Sequence, residues 1–250
     1  AAAASAVAAS ASAPASAAAT GVAAGAADGR LDDPAMLLAA AWADEASAWR
    51  ALATAWKTPL GEGEVCGRAA AAAGLACFRT RGGLAAARQL DRPGLVLLRQ
   101  RDEAPVVALL VALDERGATL QTQGRHWKLS LAGLASVWKG DFATLWRTPP
   151  GWREFSAAAS APALPASTRA WVNQRLADAG LGDATQPMRD RIWAFQVAQG
   201  LPPDGRLGPL TMMQLGRSAD PAEPALRAAA AVPSATAAAP PPAMAAAPSP

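Results

Sequence analysis

Trp193-Ala194-Phe195-Gln196 and, beyond Gln199-Gly200, the run Leu201-Pro202-Pro203-Asp204-Gly205-Arg206-Leu207-Gly208 decide how the last third of this chain folds. Just upstream, Trp171, Val172, Leu176 and Leu181 recur at helical spacing, and Met188, Ile192 and Phe195 do the same, so two amphipathic helices are expected. Asp204-Gly205 predicts a tight turn, with Asp204 capping the loop and Gly205 taking a positive φ. Gly208-Pro209 then leads into a last helix, where Leu210, Met213 and Leu215 close a small three-helix core and Met212 and Met213 pack as a pair. Trp171 and Trp193 read as core residues rather than exposed stacking platforms, and Phe195 is expected inside the core with them, because a small domain depends on large aromatic burial.

This order resembles the peptidoglycan-binding module found on many bacterial wall enzymes. The matching positions are Trp171, Leu176, Phe195, Gln196, Gly200, Leu201, Asp204, Gly205, Gly208, Thr211 and Leu215. The resemblance implies a groove beside the Asp204-Gly205 turn, with Phe195, Gln196, Asp204, Gly205, Arg206, Gly208, Thr211 and Gln214 as the candidate peptidoglycan-binding residues. Gln196 has two readings, one as a ligand contact and one as a side chain that satisfies backbone groups.

Composition divides the rest of the 250 residues. Residues 1–30 are nearly all Ala, Ser, Gly, Thr and Pro, and residues 219–250 are rich in Ala and Pro. Neither stretch has enough large apolar side chains to offset an ordering entropy of roughly 1–2 kcal/mol per residue. Both are expected to be disordered, and residues 156–166 form a linker of the same kind. That leaves an α/β domain over 31–155 and the three-helix domain over 167–218, an α+β chain as a whole. The formal charge of +3 and the pI near 9.4 are mild, and the arginines are scattered rather than clustered as in a nucleic-acid binder. Their balance suits the carboxylates of wall peptides, which Arg can grip bidentately. The longest apolar runs, near 94–98 and 106–113, are too short to span a bilayer. The chain opens at Ala1 with no charged segment leading into an apolar one, so an export signal or membrane anchor is expected upstream.

Within 31–155, Pro34–Trp56 reads as one or two helices, and a glycine-rich loop through Cys66-Gly67 leads into a helix over Ala69–Ala73 that Gly74 ends. Leu75–Arg79, Gly94–Arg99, Val106–Leu113 and Ala118–Gln121 are expected strands, Trp127–Leu129 a further edge strand, and Leu131–Trp138 a short helix. Phe142, Leu145 and Trp146 complete the core.

A Cys-Gly that opens a helix is chemically suggestive, because a helix N-terminus favours thiolate. The layout resembles the double-glycine branch of the papain-like peptidases, in which such a cysteine is the nucleophile. The rest of that chemistry is missing here. The histidine expected at the head of the Val106 strand is replaced by Ala104 and Pro105, the acidic residue expected near Gln121-Thr122 is absent, and no oxyanion glutamine precedes Cys66. Glu62 and Glu64 beside Cys66 would raise its pKa further. His126, the only histidine, follows the Ala118 strand and reads as a surface residue rather than a base. The expectation is a pseudo-peptidase with Cys66 as a vestigial nucleophile, no catalytic residue, no metal and no cofactor. The rival reading is an active cysteine peptidase or wall hydrolase that uses Cys66. A third is the wall-binding accessory region of some other enzyme. With Cys66 at the start of a helix and Cys77 beyond its end, their Cα atoms should stand more than ~10 Å apart, outside disulfide range, so two small buried cysteines are expected.

A degenerate papain-like domain followed by a peptidoglycan-binding module resembles the periplasmic region of the type II secretion pathway protein A family. Cys66…Ala70, Gly74-Leu75-Ala76-Cys77, Gly82-Gly83-Leu84, Leu90-Asp91-Arg92-Pro93, Trp138-Lys139-Gly140 and Leu145-Trp146-Arg147-Thr148-Pro149 carry the likeness. It implies a non-catalytic scaffold in the periplasm, tethered to the inner membrane by an upstream segment. The implied partners are peptidoglycan, protein B of the same pathway and, as a second candidate, the secretin whose assembly through the wall it assists. Nucleic acid is not among them.

Overall fold

The computed structural model describes residues 30–31, 34–58, 65–66, 70–100, 103–152, 164–217 and 223–226. The first half contains β1 (Arg30–Leu31), α1 (Ala35–Ala40), α2 (Glu45–Ala55), α3 (Ala70–Ala72), β2 (Leu75–Thr80) and α4 (Gly83–Leu90). The sheet is completed by β3 (Gly94–Leu98), β4 (Val106–Leu113), β5 (Gly117–Thr122), β6 (Arg125–Ser130) and, after α5 (Leu131–Val137), β7 (Trp138–Arg147). Three helices follow, α6 (Ala166–Asp178), α7 (Met188–Ala198) and α8 (Pro209–Arg217). Helices and a mostly antiparallel sheet make this an α+β protein, as expected.

The strands lie in the order β1-β6-β5-β4-β3-β7-β2, and every neighbouring pair is antiparallel except β1 with β6. Alternation along the strands feeds two cores, because successive side chains face opposite ways. Leu95, Val107, Leu109, Ala143 and Leu145 meet α2 through Trp49, Leu52 and Trp56. Val96, Leu98, Ala108, Leu110, Phe142 and Trp146 face the other side, towards α4, α5 and the C-terminal helices. Local sequence starts the helices: the Asp44 carboxylate accepts from the Ser47 amide at 3.0 Å to cap α2, and Ser130 Oγ accepts from the Gly133 amide at 3.0 Å to cap α5.

Three elements depart from the sequence expectation. The segment expected only to supply Phe142, Leu145 and Trp146 is the ten-residue strand β7, lying between β3 and β2 inside the sheet. Leu84 and Leu90 belong to a helix, α4, which ends where Asp91 takes a left-handed φ of 45°. The Trp127–Leu129 segment is β6, and it is flanked on its outer side by β1.

The C-terminal helices pack onto the sheet instead of hanging from it. Gln214 Nε2 donates to the Gln89 carbonyl at 2.6 Å, Gln89 Nε2 donates to the Gly200 carbonyl at 3.0 Å, and Arg217 pairs with Asp91. Arg92 ties the junction together. It is 2% exposed, sits over the Trp56 ring at 5.8 Å, donates to the Leu90 and Met213 carbonyls, and pairs with Glu223 at 3.1 Å. Burial pulls its guanidinium below the ordinary value, and the Glu223 charge pushes back. Residues 219–250 were expected to be disordered throughout, but 223–226 pack here: Leu226 is buried and its amide donates to the Asp91 carbonyl at 3.2 Å. Glu223 and Leu226 account for this, one answering the Arg92 charge and the other burying an apolar side chain.

Candidate functional site

Cys66 is bonded to Cys77, with Cα atoms 5.4 Å apart. The expectation of two free cysteines therefore fails, and the cause is helix length. The described part of α3 is one turn, Ala70–Ala72, and Gly74 reverses the chain at φ 68° so that β2 returns Cys77 past Cys66. A left-handed φ of that kind is readily adopted by glycine alone. Cys66 and Cys77 both pack on the α2-facing core. Of the flanking loop, residues 59–64, with Glu62 and Glu64, and residues 67–69 lie outside the described residues.

Ala104 and Pro105, where a base was expected, are exposed just before β4. At the head of β4, the Val107 N–H donates to the Trp42 carbonyl at 2.8 Å, and the Val107 carbonyl accepts from the Trp42 N–H at 2.9 Å. Thr122 is fully buried, and its Oγ1 accepts from Trp127 Nε1 at 2.7 Å. His126 is exposed on β6. Five strand spacings separate β6 from β2, which at the usual ~4.8 Å per strand puts His126 about 24 Å from the cystine end of the sheet.

Near the head of β4 lies an open cleft of about 350 Å³ with Leu95, Leu97, Val107 and Phe142 in its wall. Its rim is charged and already paired: Arg79 with Glu45 at 2.5 Å, and Arg81 with Asp141 at 3.2 Å. Glu45 also accepts from Trp49 Nε1 at 2.8 Å. Among the described residues, its lining includes no histidine or cysteine. Among the described residues, no cluster of three His, Cys, Asp or Glu side chains is placed to hold a metal ion.

Five of the candidate wall-binding residues, Gln196, Asp204, Gly205, Arg206 and Thr211, meet at one loop. Gln196, on α7 and only 1% exposed, is its centre. Its Oε1 accepts from the Gly205 amide at 2.8 Å, and its Nε2 reaches Asp204 Oδ1 at 2.8 Å, the Arg206 carbonyl at 3.0 Å and Thr211 Oγ1 at 3.0 Å. Asp204 Oδ1 also accepts from the Arg206 amide at 2.8 Å. That bond first, and the Gln196 amide second, hold the Asp204 carboxyl below the usual carboxylate range. Gly205 takes φ 66°, the positive value the turn requires.

The eight residues therefore divide by accessibility. Phe195, Gln196 and Thr211 are buried, and Gln214 is turned towards Gln89. Asp204 and Arg206 are exposed, with Gly205 and Gly208 half-buried between them. Of the two open readings of Gln196, the geometry answers to the second, in which it satisfies the loop. One sequence expectation is reversed: Trp193 is 50% exposed rather than core. Ile192, Phe195 and Gln196, at i, i+3 and i+4, form the inward stripe of α7 and leave Trp193 and Val197 on another face. That spacing was legible in the sequence. Arg189 was the residue missed altogether. Its Cγ and Nε would lie 2.8 and 3.3 Å from a Cβ built on Gly205, so its side chain rests over the bare glycine.

No family model matches the chain. It is 28% identical over 149 residues to general secretion pathway protein A of Aeromonas hydrophila, covering 57% of this chain and 26% of that protein, so it spans about a quarter of the relative's length. A solved structure, a periplasmic domain of the EpsAB fusion protein of the Vibrio vulnificus type II secretion system, is 23% identical with a TM-score of 0.41, covering 60% of this chain and 68% of that one. The likeness first read from the order of short motifs is thus met again in a comparison along the chain: this protein is similar to the general secretion pathway protein A of type II secretion.

Proposed function

We propose that this chain is a non-catalytic periplasmic scaffold of type II secretion. In this reading residues 167–218 form the wall-binding domain and hold peptidoglycan at the Gln196-centred loop. The papain-like region before them is a pseudo-peptidase whose surface engages a secretion partner, protein B or the secretin. A segment outside this chain supplies the tether to the inner membrane. The observation that carries the non-catalytic reading is the bond between Cys66 and Cys77. A sulfur held in a disulfide is not a thiolate and cannot attack a carbonyl. The same bond suits an oxidising compartment such as the periplasm. The similarity to general secretion pathway protein A supports the assignment to secretion.

The wall-binding half is tested by co-sedimentation of the full chain with purified peptidoglycan sacculi, beside an Arg206→Glu variant. Arg206 is exposed and it is its backbone that carries the loop's hydrogen bonds, so the variant's circular dichroism is expected to match the wild type. The expected result is that the wild type sediments and that most of the variant stays in solution. A wild type that stays in solution would overturn the wall-binding reading, and an unaffected variant would remove this loop from it. The non-catalytic half is tested with the reduced protein and a peptide or wall-fragment substrate, where no turnover above buffer is expected.

A further inference from the structure

Few large apolar side chains are exposed among the described residues: Met36 at 65%, Trp193 at 50% and Val197 at 51%. Two of the three share one stripe of α7. Arg189, Trp193 and Val197 are spaced at i, i+4 and i+8, so they stand in a row along that helix. Arg189 leads the row and lies against Gly205, which brings the row to the edge of the Asp204–Arg206 turn. Arg206, the next residue, is exposed on the same turn. Neither guanidinium takes part in an ion pair with another described residue.

We propose that Trp193, Arg189 and Arg206 form one contact face, on which the indole stacks against a pyranose ring while the guanidinium groups take a carboxylate of the stem peptide attached to the same glycan unit. This rests on the wall-binding reading above and names the side chains that touch ligand. An indole offers a flat apolar face to the C–H side of a sugar ring, and guanidinium matches carboxylate in a bidentate fork. Charge complementarity therefore selects an acidic glycopeptide over a neutral saccharide. The turn that carries Arg206 is fixed in advance, because Gln196 and Asp204 hold its backbone at Gly205 and Arg206. A face fixed before binding loses less entropy on contact than one ordered by its ligand. Gln196, Asp204 and Thr211 are positioning residues in this account.

The test uses the full chain as wild type, Trp193→Ala and Arg189→Gln, with circular dichroism to check that each is folded. Calorimetry would titrate a soluble disaccharide-peptide fragment of peptidoglycan, the same fragment with its carboxyls amidated, and a neutral chitin oligosaccharide. Trp193→Ala should weaken the disaccharide-peptide by about tenfold, the size expected when a central aromatic anchor is removed. Arg189→Gln should weaken the acidic fragment several-fold, leave the amidated one unchanged, and reduce the salt dependence of binding. A Trp193→Ala variant that binds within twofold of a binding wild type would overturn this proposal and leave the wall-binding reading standing. A wild type that binds neither the fragments nor sacculi would overturn both. An Arg189→Gln loss that is equal for the acidic and amidated fragments would overturn the carboxylate contact.

Discussion

Replacing both Cys66 and Cys77 with alanine removes a bond that closes a loop of sequence separation 11. In the chain-entropy account, a cross-link over a loop that short disfavours the unfolded ensemble by about 3 kcal/mol at 25 °C. For an ordered body of this size, each kcal/mol moves the melting temperature by roughly 2–4 °C, so a fall of roughly 6–12 °C is expected. Thermal unfolding followed by circular dichroism measures it, and adding reductant to the wild type should reproduce most of the fall. Mass after alkylation provides the chemical check: no label on the oxidised protein, two labels after unfolding in reductant. The single variant Cys77→Ala frees the Cys66 thiol and tests the rival enzyme directly. With His126, the only histidine, about 24 Å away across the sheet, that thiol has no imidazole partner, and no peptide or wall-fragment cleavage is expected. Two labels on the unreduced protein, an unchanged melting temperature in the double variant, or cleavage that depends on Cys66 would each refute the reasoning.

Glu223→Ala strands the buried Arg92 cation and should cost about 3–5 kcal/mol in urea unfolding, whereas replacing Arg92 and Glu223 together with methionine should recover most of that loss. Gln196→Ala leaves the Gly205 amide and Asp204 without their partner and should cost about 1–3 kcal/mol, with faster hydrogen exchange at Gly205 and little change at β4. For Asp204, the folded pKa lies below the unfolded value of about 3.9, so the stability it adds is fully present above that pH and is lost as pH falls through the folded value. The Arg206 amide shift should follow this in an NMR titration, and a transition above pH ~3.9 would contradict it.

Strong local signals made much of the fold legible before the structure. The β-branched and Leu runs of β3 and β4, the Asp204-Gly205 turn and the helical spacing around Ile192 and Phe195 each point one way. β7 was missed because it follows α5 without a loop and because Gly140 and Asp141 interrupt its apolar pattern, so nothing in Trp138–Arg147 announces a strand between two others. Long-range pairing with β3 and β2 defines it, and a local reading does not contain those partners. The disulfide was missed for a related reason. The alanine run 69–73 reads as a helix long enough to separate the cysteines, whereas the described turn is three residues and Gly74 folds the chain back. Trp193 was placed in the core on size alone, although the stripe through Ile192, Phe195 and Gln196 already excluded it. Residues 223–226 carried the weakest signal, a Glu and a Leu in an Ala/Pro-rich stretch, and their place depends on a buried arginine 131 positions upstream of Glu223.

The places where the sequence invited catalytic chemistry share a pattern that bears on what the sheet is for. Cys66 is joined to Cys77, the head of β4 is bridged by the Trp42 backbone, and Thr122 accepts the buried Trp127 N–H. Each of these makes a bond or a hydrogen bond that supports the fold, while Ala104 and Pro105 lie exposed just before β4. The stabilised sheet is then tied to the C-terminal helices through buried Arg92, which reaches α2, α8 and Glu223 at once. A wall-binding surface on α7 would be held in a set orientation to the sheet by that junction, a geometry suited to a scaffold and unnecessary for a hydrolase with a freely hinged accessory module. Weakening Arg92 should therefore loosen the two parts before it unfolds either one. Hydrogen exchange on Glu223→Gln should show faster exchange at Leu226 and α8 with β3 and β4 still protected, and uniform loss across the sheet would argue that the junction is only part of a single cooperative core.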